Sequence, residues 1–365
     1  MSSGWSQVEF FESGDGYFSA LKLAFRAARE SICLEFYIFR MDRLGRELLE
    51  ELCACQARGV KVFLRLDGVG SRENLAEIAE YCNGKQLELE VFHPLPFEGA
   101  RKFFPVGFSR ADTFLGRWRF INRRNHRKLV IIDETIAFAG GMNVDEVQSE
   151  RFGGRKAWHD LSLRLEGPAV DELSQAFWFK PFRNFSFRHC LLNYSWRMRR
   201  ARNQWFSQTI RKARTRMWVV TPYFAPPPFL LYQIQAAVKR GVDIRFILTG
   251  ENDVPISRLA ALGLYRRLVK KGIRLFEFQP SLLHRKLWLF DDVALVGSGN
   301  LNHRSFLHDL ELDVILRDPA HLARAAGMFS SDEQKSREVT EVYLEKISLR
   351  EKFLSWVAGW FTYWL

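Results

Sequence analysis

His126-Arg127-Lys128-Leu129-Val130-Ile131-Ile132-Asp133 leads to Gly140-Gly141-Met142-Asn143. The same order returns at His284-Arg285-Lys286-Leu287-Trp288-Leu289-Phe290-Asp291, which leads to Gly297-Ser298-Gly299-Asn300. In an extended strand side chains two apart share a face, so each His and its Lys point together while the apolar run anchors them. The acidic pair closing each run, Asp133-Glu134 or Asp291-Asp292, turns the chain. A second apolar strand then returns to a glycine-rich corner whose Asn faces the same place. Six residues separate Asp133 from Gly140 and five separate Asp291 from Gly297, which predicts a shorter turn in the second copy.

Working outward, the two motifs sit in two copies of one larger pattern. Phe36-Tyr37-Ile38-Phe39 is answered by Val219-Val220-Thr221-Pro222-Tyr223-Phe224, and Arg58-Gly59-Val60-Lys61-Val62 by Arg240-Gly241-Val242-Asp243-Ile244. The strand Leu87 to Phe92 is answered by Ile273 to Phe278. Strands alternating with helical stretches predict α/β layers around a largely parallel sheet, one per half. The halves lie 182 residues apart at the glycines but 158 at the histidines, so the first half carries an insertion, placed at Phe97 to Arg124. Its seven Arg/Lys, seven aromatics and two acids suit a loop that touches an anionic apolar boundary. A division follows into a first domain (1–185), a second (186–340) and an aromatic tail (341–365).

Composition agrees with a folded chain: 365 residues, 47% hydrophobic and 26% charged, are far from the mixture of a disordered protein. The net charge of +12 attracts nucleic acid, anionic lipid or acidic small molecules without choosing among them. Five cysteines without a repeated Cys-x-x-Cys spacing indicate neither a disulfide framework nor a zinc site. No secretory signal and no run of 18 or more apolar residues is legible, so membrane contact is expected to be peripheral. Two further stretches suit such contact. Lys180 to Arg216 has eleven Arg/Lys and no acid, and in the tail Trp356, Trp360 and Trp364 recur every fourth residue.

Two copies of His, Lys and Asn brought face to face make one phosphodiester site. One His attacks phosphorus and the other, protonated, donates to the leaving alkoxide. Lys128, Lys286, Asn143 and Asn300 hold the nonbridging oxygens, with Ser298 and Arg304 as further substrate contacts. No metal and no cofactor is required. Asp133 and Asp291 complete the motif and are read as scaffolding for the turns more than as proton carriers.

The paired His-x-Lys-x4-Asp elements with Gly-Gly/Ser-x-Asn resemble the signature of the phospholipase D superfamily. The further stretches Asp67-Gly68-Val69-Gly70-Ser71, Trp158-His159-Asp160 and Glu166-Gly167-Pro168-Ala169-Val170 are similar to bacterial cardiolipin synthases, in a short form without N-terminal membrane helices. That resemblance implies two fused α/β/α domains related by a pseudo-two-fold axis, with the active site at their interface. It implies His126, Lys128, Asp133, His284, Lys286 and Asp291 as the catalytic set. It also implies that each His is oriented by an acid of its own half, Asp160 for His126 and Glu311 for His284. The reaction it implies passes a phosphatidyl group from phosphatidylglycerol through a histidine to a second phospholipid hydroxyl, making cardiolipin and glycerol. The implied partner is an anionic membrane at the cytoplasmic face of the bacterial inner membrane, with no nucleic acid. Hydrolysis of phospholipid to phosphatidic acid and metal-independent nuclease action are the alternatives.

Overall fold

The computed structural model describes residues 4–95, 122–180 and 187–361, so most of the Phe97 to Arg124 insertion, and Trp364, lie outside the described residues. The first half contributes β1 (Gln7–Phe11), β2 (Ser31–Phe36), β3 (Lys61–Asp67), β4 (Glu88–Phe92), β5 (Leu129–Ile132), β6 (Ile136–Gly140) and β7 (Ser162–Glu166). The second contributes β8 (Cys190–Leu192), β9 (Arg216–Val220), β10 (Phe224–Ala225), β11 (Asp243–Thr249), β12 (Arg274–Phe278), β13 (Leu287–Phe290), β14 (Ala294–Gly297), β15 (Leu301–Asn302), β16 (Leu312–Leu316) and β17 (Ser336–Glu338). The first sheet runs β1-β7-β6-β5-β2-β3-β4. Read from its far edge, the second runs β8-β16-β14-β13-β9-β11-β12-β17, the same order with one strand added. The short β10 and β15 pair separately and parallel.

Neither sheet is largely parallel. Only β2, β3 and β4, and their counterparts β9, β11 and β12, run side by side in one direction. The rest are antiparallel, and in β5–β6 and β13–β14 the acidic turn after each motif is too short for anything but a hairpin. Ile132 pairs with Ile136 across a three-residue turn, with Asp133 and Glu134 at φ 49° and 53°. In the second copy Leu289 pairs with Ala294 and Phe290 N–H donates to the Val293 carbonyl (2.9 Å), leaving two residues in the turn. The missing residue foreseen from the spacing is lost there.

The motif strands β5 and β13 are buried along their whole length, as central strands covered on both faces must be. One hydrophobic cluster joins the halves: Leu129, Ile131 and Leu163 of the first sheet pack in it with Val220, Leu287 and Val296 of the second. Separate clusters lie beneath the outer helices of each half. The middle residue of each His-Arg-Lys points the opposite way from its neighbours, as a period of two requires. Arg127 thereby reaches Glu35 (2.9 Å) and the Ala176 carbonyl (3.0 Å), and Arg285 reaches Asp332 (2.7 Å) and Glu12 (2.8 Å), all beneath the site.

The basic junction is partly turned inward. Along the helix Trp196–Lys212, Arg202 is buried against Asp313 (2.7 Å) and Arg199 donates to the carbonyls of Leu307 and His308. In the tail, Ser348 and Glu351 form a capping box that starts the helix Leu349–Gly359. This helix lies on the helix Pro255–Val269, with Ser355 and Ala358 inward against the Gly263 region and Trp356 and Trp360 outward.

Candidate active site

Each motif strand is led in by backbone pairing with the opposite half. Asn125 bridges to Leu310, and the His126 N–H donates to the Leu310 carbonyl (3.0 Å). Leu283 bridges to His159, and the His284 N–H donates to the His159 carbonyl (2.8 Å). The residue after Leu310 is Glu311, and the residue after His159 is Asp160. This register decides which acid meets which imidazole.

The acids are crossed. His126 Nδ1 faces Glu311 Oε2 at 3.1 Å, and His284 Nδ1 faces Asp160 Oδ2 at 2.5 Å. The expectation that Asp160 serves His126 and Glu311 serves His284 is therefore corrected: each acid belongs to the half that does not carry its histidine. With Nδ1 committed to a carboxylate, Nε2 is the nitrogen left to react. The two imidazoles share a cavity of about 340 Å³ with Tyr37, Trp158, Tyr223, Asn143 and Asn300. Tyr37 stands edge-on to His126 with ring centres 4.9 Å apart, and Trp158 lies 5.0 Å from His284.

Burial holds both histidines below their ordinary pKa, with the neighbouring lysine adding to the effect, and takes His284 down to about 4. Both shifts favour the neutral imidazole in the empty site. Burial, and then the charge of Lys286, brings Lys128 down to about 7; burial brings Lys286 to about 8. Lys128 Nζ donates to the His126 carbonyl (2.5 Å), while Lys286 Nζ contacts the His284 carbonyl and sits against its ring nitrogens at 2.8 and 3.0 Å. Burial alone would raise the Glu311 carboxyl, but His126 and Lys128 outweigh it and hold it down at about 2. The Asp160 carboxyl is likewise lowered against its burial, by Lys286 and by its hydrogen-bonded contact with His284.

Several other expected site residues sit elsewhere. Asp133 accepts backbone N–H groups of Arg29, Glu30 and Ser31 (2.8 to 2.9 Å), and Asp291 those of Arg214, Thr215 and Arg216. Both close the turn at the far end of their strand, a four-residue strand away from the lysine, so their place in the catalytic set is corrected to scaffolding. Ser298 turns its hydroxyl to Glu311, which also takes Ser305 Oγ (2.6 Å), so Ser298 supports the acid rather than touching substrate. Asn143 Oδ1 accepts from the Ile38 N–H (3.0 Å), leaving its amide nitrogen for a ligand. Asn300 Oδ1 is buried in the cavity without a partner among the described residues. Arg304 lines the cavity, held by Asp309 (2.8 Å) and Asn122 (2.9 Å).

Trp158, Asp253 and Asp309 were not foreseen as site residues. Tyr37 and Tyr223 were visible as repeat landmarks, and that repetition was the signal that they face the site.

Over residues 206–333 the chain matches a family model described as cardiolipin synthase, PLD-like domain. Cardiolipin synthase A of Pseudomonas aeruginosa (strain LESB58) is 30% identical over 355 residues, covering 92% of this chain and 68% of that protein. The chain belongs to the cardiolipin synthases. It is accordingly a phosphatidyltransferase of the phospholipase D superfamily. Cardiolipin synthase A of Pseudomonas putida (strain GB-1) is 28% identical over 352 residues, 92% of this chain and 70% of that one. In fold, the chain is similar to the crystal structure of phosphatidylserine synthase from Haemophilus influenzae Rd KW20. The TM-score is 0.73 at 16% identity, over 97% of this chain and 92% of that chain. Polyphosphate kinase from Porphyromonas gingivalis shares the fold at TM-score 0.59 and 16% identity, over 89% of this chain and 50% of that chain.

Proposed function

We propose that the protein transfers the phosphatidyl group of phosphatidylglycerol to a hydroxyl of a second phospholipid, making cardiolipin and glycerol. One observation carries the reading: two imidazoles, each backed by a carboxylate of the opposite half, open into one cavity flanked by two lysines. His126 Nε2 attacks phosphorus, the bond from phosphorus to the glycerol oxygen breaks, and His284 Nε2 delivers a proton to that oxygen. In the second step the lipid hydroxyl attacks phosphorus, His284 takes its proton, and the bond from phosphorus to nitrogen breaks.

Lys128 and Lys286 place positive charge on the nonbridging oxygens, where the transition state needs it. The charge of a bound phosphodiester offsets the repulsion between Lys286 and a protonated His284, so the acid forms when substrate is present. Attack is given to His126 because the shorter contact to Asp160, 2.5 against 3.1 Å, better supports an imidazolium on His284. The partnerless Asn300 Oδ1 suits an acceptor hydroxyl, which donates a hydrogen bond where phosphate oxygens do not. Among the described residues no helix is long and apolar enough to cross a membrane. The net charge of +12 agrees with an anionic surface, which we place at the cytoplasmic face of the inner membrane.

The test is product analysis by mass spectrometry on phosphatidylglycerol vesicles. Cardiolipin and glycerol in excess of phosphatidic acid are expected. Mostly phosphatidic acid means a hydrolase, and cleavage of single-stranded DNA without lipid turnover means a nuclease. Quenching with denaturant at neutral to mildly alkaline pH, where a bond from phosphorus to an imidazole nitrogen survives, followed by peptide mapping should find the phosphatidyl adduct on the peptide containing His126.

A further inference from the structure

Beside the catalytic cavity lies a groove of about 650 Å³ that no part of the chemistry uses. Its floor is the helix Pro255–Val269, through Ala260, Gly263, Leu264 and Arg267. One wall is the helix Pro228–Lys239, through Leu231, Tyr232 and Gln235, and the other is the tail helix, through Trp356 and Trp360. Tyr232, Trp356 and Trp360 are 71%, 57% and 69% exposed, although each has an apolar ring.

The groove adjoins the cavity along three segments. Ser257 lines the cavity and Ala260, one turn on, lines the groove; Tyr223 lines the cavity and Ala225 the groove; and His303 of the groove stands between Asn302 and Arg304 of the cavity. From Ser257 to Arg267 the helix carries this path about 15 Å from the cavity at 1.5 Å per residue. The first half has no counterpart of the tail helix among the described residues.

The lining is apolar with a few donors. Gln235 Nε2 is buried and has no hydrogen-bond partner among the described residues. Arg267 brings a guanidinium to the same groove. An apolar trough carrying isolated donors matches an acyl chain with its ester carbonyl, whereas an all-carbon ligand leaves Gln235 unsatisfied.

We infer that this groove seats one acyl chain of the phospholipid whose phosphate lies between His126 and His284, with Gln235 Nε2 donating to an ester carbonyl and Trp356 and Trp360 forming the outer wall. This rests on the phosphatidyl-transfer reading, since only a lipid substrate carries a chain out of the cavity. The tail helix is then a wall of the substrate site. It also explains why Trp356 and Trp360, with ring centres 4.8 Å apart, are held out of the protein interior by a helix docked on its opposite face.

The test uses the full chain and Leu264→Glu, which puts a charge on the groove floor away from the catalytic groups. Turnover is compared on long-chain phosphatidylglycerol vesicles and on monomeric dihexanoyl phosphatidylglycerol. The variant should lose at least about tenfold in kcat/KM on the long-chain lipid and less than about twofold on the short one, about 1.4 kcal/mol being a factor of ten. It should also bind phosphatidylglycerol vesicles as the parent does. Equal loss on both lipids, or a loss that tracks weakened vesicle binding, overturns the groove; the latter would make the face a membrane-docking surface.

A second readout needs no turnover. Monomeric lysophosphatidylglycerol with a brominated chain should quench tryptophan emission, and Trp356→Phe with Trp360→Phe should remove at least half of that quench. Quenching without any lipid turnover keeps the groove and sinks phosphatidyl transfer. Turnover without quenching does the reverse.

Discussion

The two halves of the site are copies in topology and differ in how they hold their acids. Asp160 is short, lies against the backbone at Gly141 and touches His284 at 2.5 Å, with the Leu161 N–H (2.8 Å) on its other oxygen. Glu311 is longer, stands off from His126 at 3.1 Å, and is steadied by the hydroxyls of Ser298 and Ser305. Gly141 and Ser298 occupy equivalent places, so the repeat has traded a close approach on one side for a hydrogen-bonded support on the other. A site built from two copies need not be symmetric, and the difference suits one imidazole to carry the proton and the other to attack.

The largest effect is expected from the imidazoles themselves. His126→Ala and His284→Ala should each lower turnover by at least about 10³-fold, since attack and proton delivery both fail without their group. Full activity in either variant would break the shared site. An adduct that still forms in His284→Ala, followed slowly on an activated phosphatidyl donor, would confirm the unequal roles; an adduct confined to His126→Ala would reverse them.

Next come the crossed acids. Asp160→Asn and Glu311→Gln should each cost roughly two to four orders of magnitude in turnover, as base-orienter pairs do. Histidine titration by NMR sharpens the comparison. Asp160 raises the His284 pKa and Glu311 raises that of His126. Removing Asp160 should therefore lower the His284 value further and leave His126 in place, and removing Glu311 should do the opposite. A shift in the histidine of the acid's own half would undo the crossing.

A smaller contrast separates the two supports. A Cβ on Gly141 would lie 2.1 Å from Asp160 Oδ1 and push the carboxylate off His284. Gly141→Ala should lower kcat by about 10²-fold, the scale of a misplaced catalytic group. Ser298→Ala leaves Glu311 with Ser305 and His126, so about a threefold to tenfold loss is expected, one hydrogen bond's worth. Equal losses would mean that the acids are held alike after all.

The mildest effect concerns pH. In the proposed mechanism Lys128 and Lys286 act as ammonium groups, and burial lowers their pKa to about 7 and 8. The needed charge is thus present below pH 7 and lost as pH rises through 7 to 8, so kcat/KM should fall over that window. On the acid side burial lowers His126, so its neutral, attacking form persists below the usual imidazole range near 6.5. Lys128→Arg keeps its charge and should move the alkaline fall towards pH 8. An unmoved limb would assign it to another group.

Much of this was legible in the residues. A period of two placed each His with its Lys. The repeated order of elements foretold two like sheets, and one missing residue foretold the shorter turn after Phe290. Those features depend on neighbours along the chain, and the one-dimensional pattern holds them. The partly antiparallel sheets were not legible from alternation alone, because a hairpin and a crossover can begin with similar strands.

The crossing of Asp160 and Glu311 was decided only in three dimensions. Sequence order puts each acid after the histidine of its own half, yet the lead-in residues Asn125 and Leu283 pair with Leu310 and His159 of the opposite halves, and that register carries the acids across. Likewise the every-fourth-residue tryptophans marked one face of a helix, but docking on the helix Pro255–Val269 decided that this face became a groove wall beside the cavity. Local chemistry follows from residue spacing; which groups meet across the interface follows from the packing of two sheets, where contacts join residues more than a hundred positions apart.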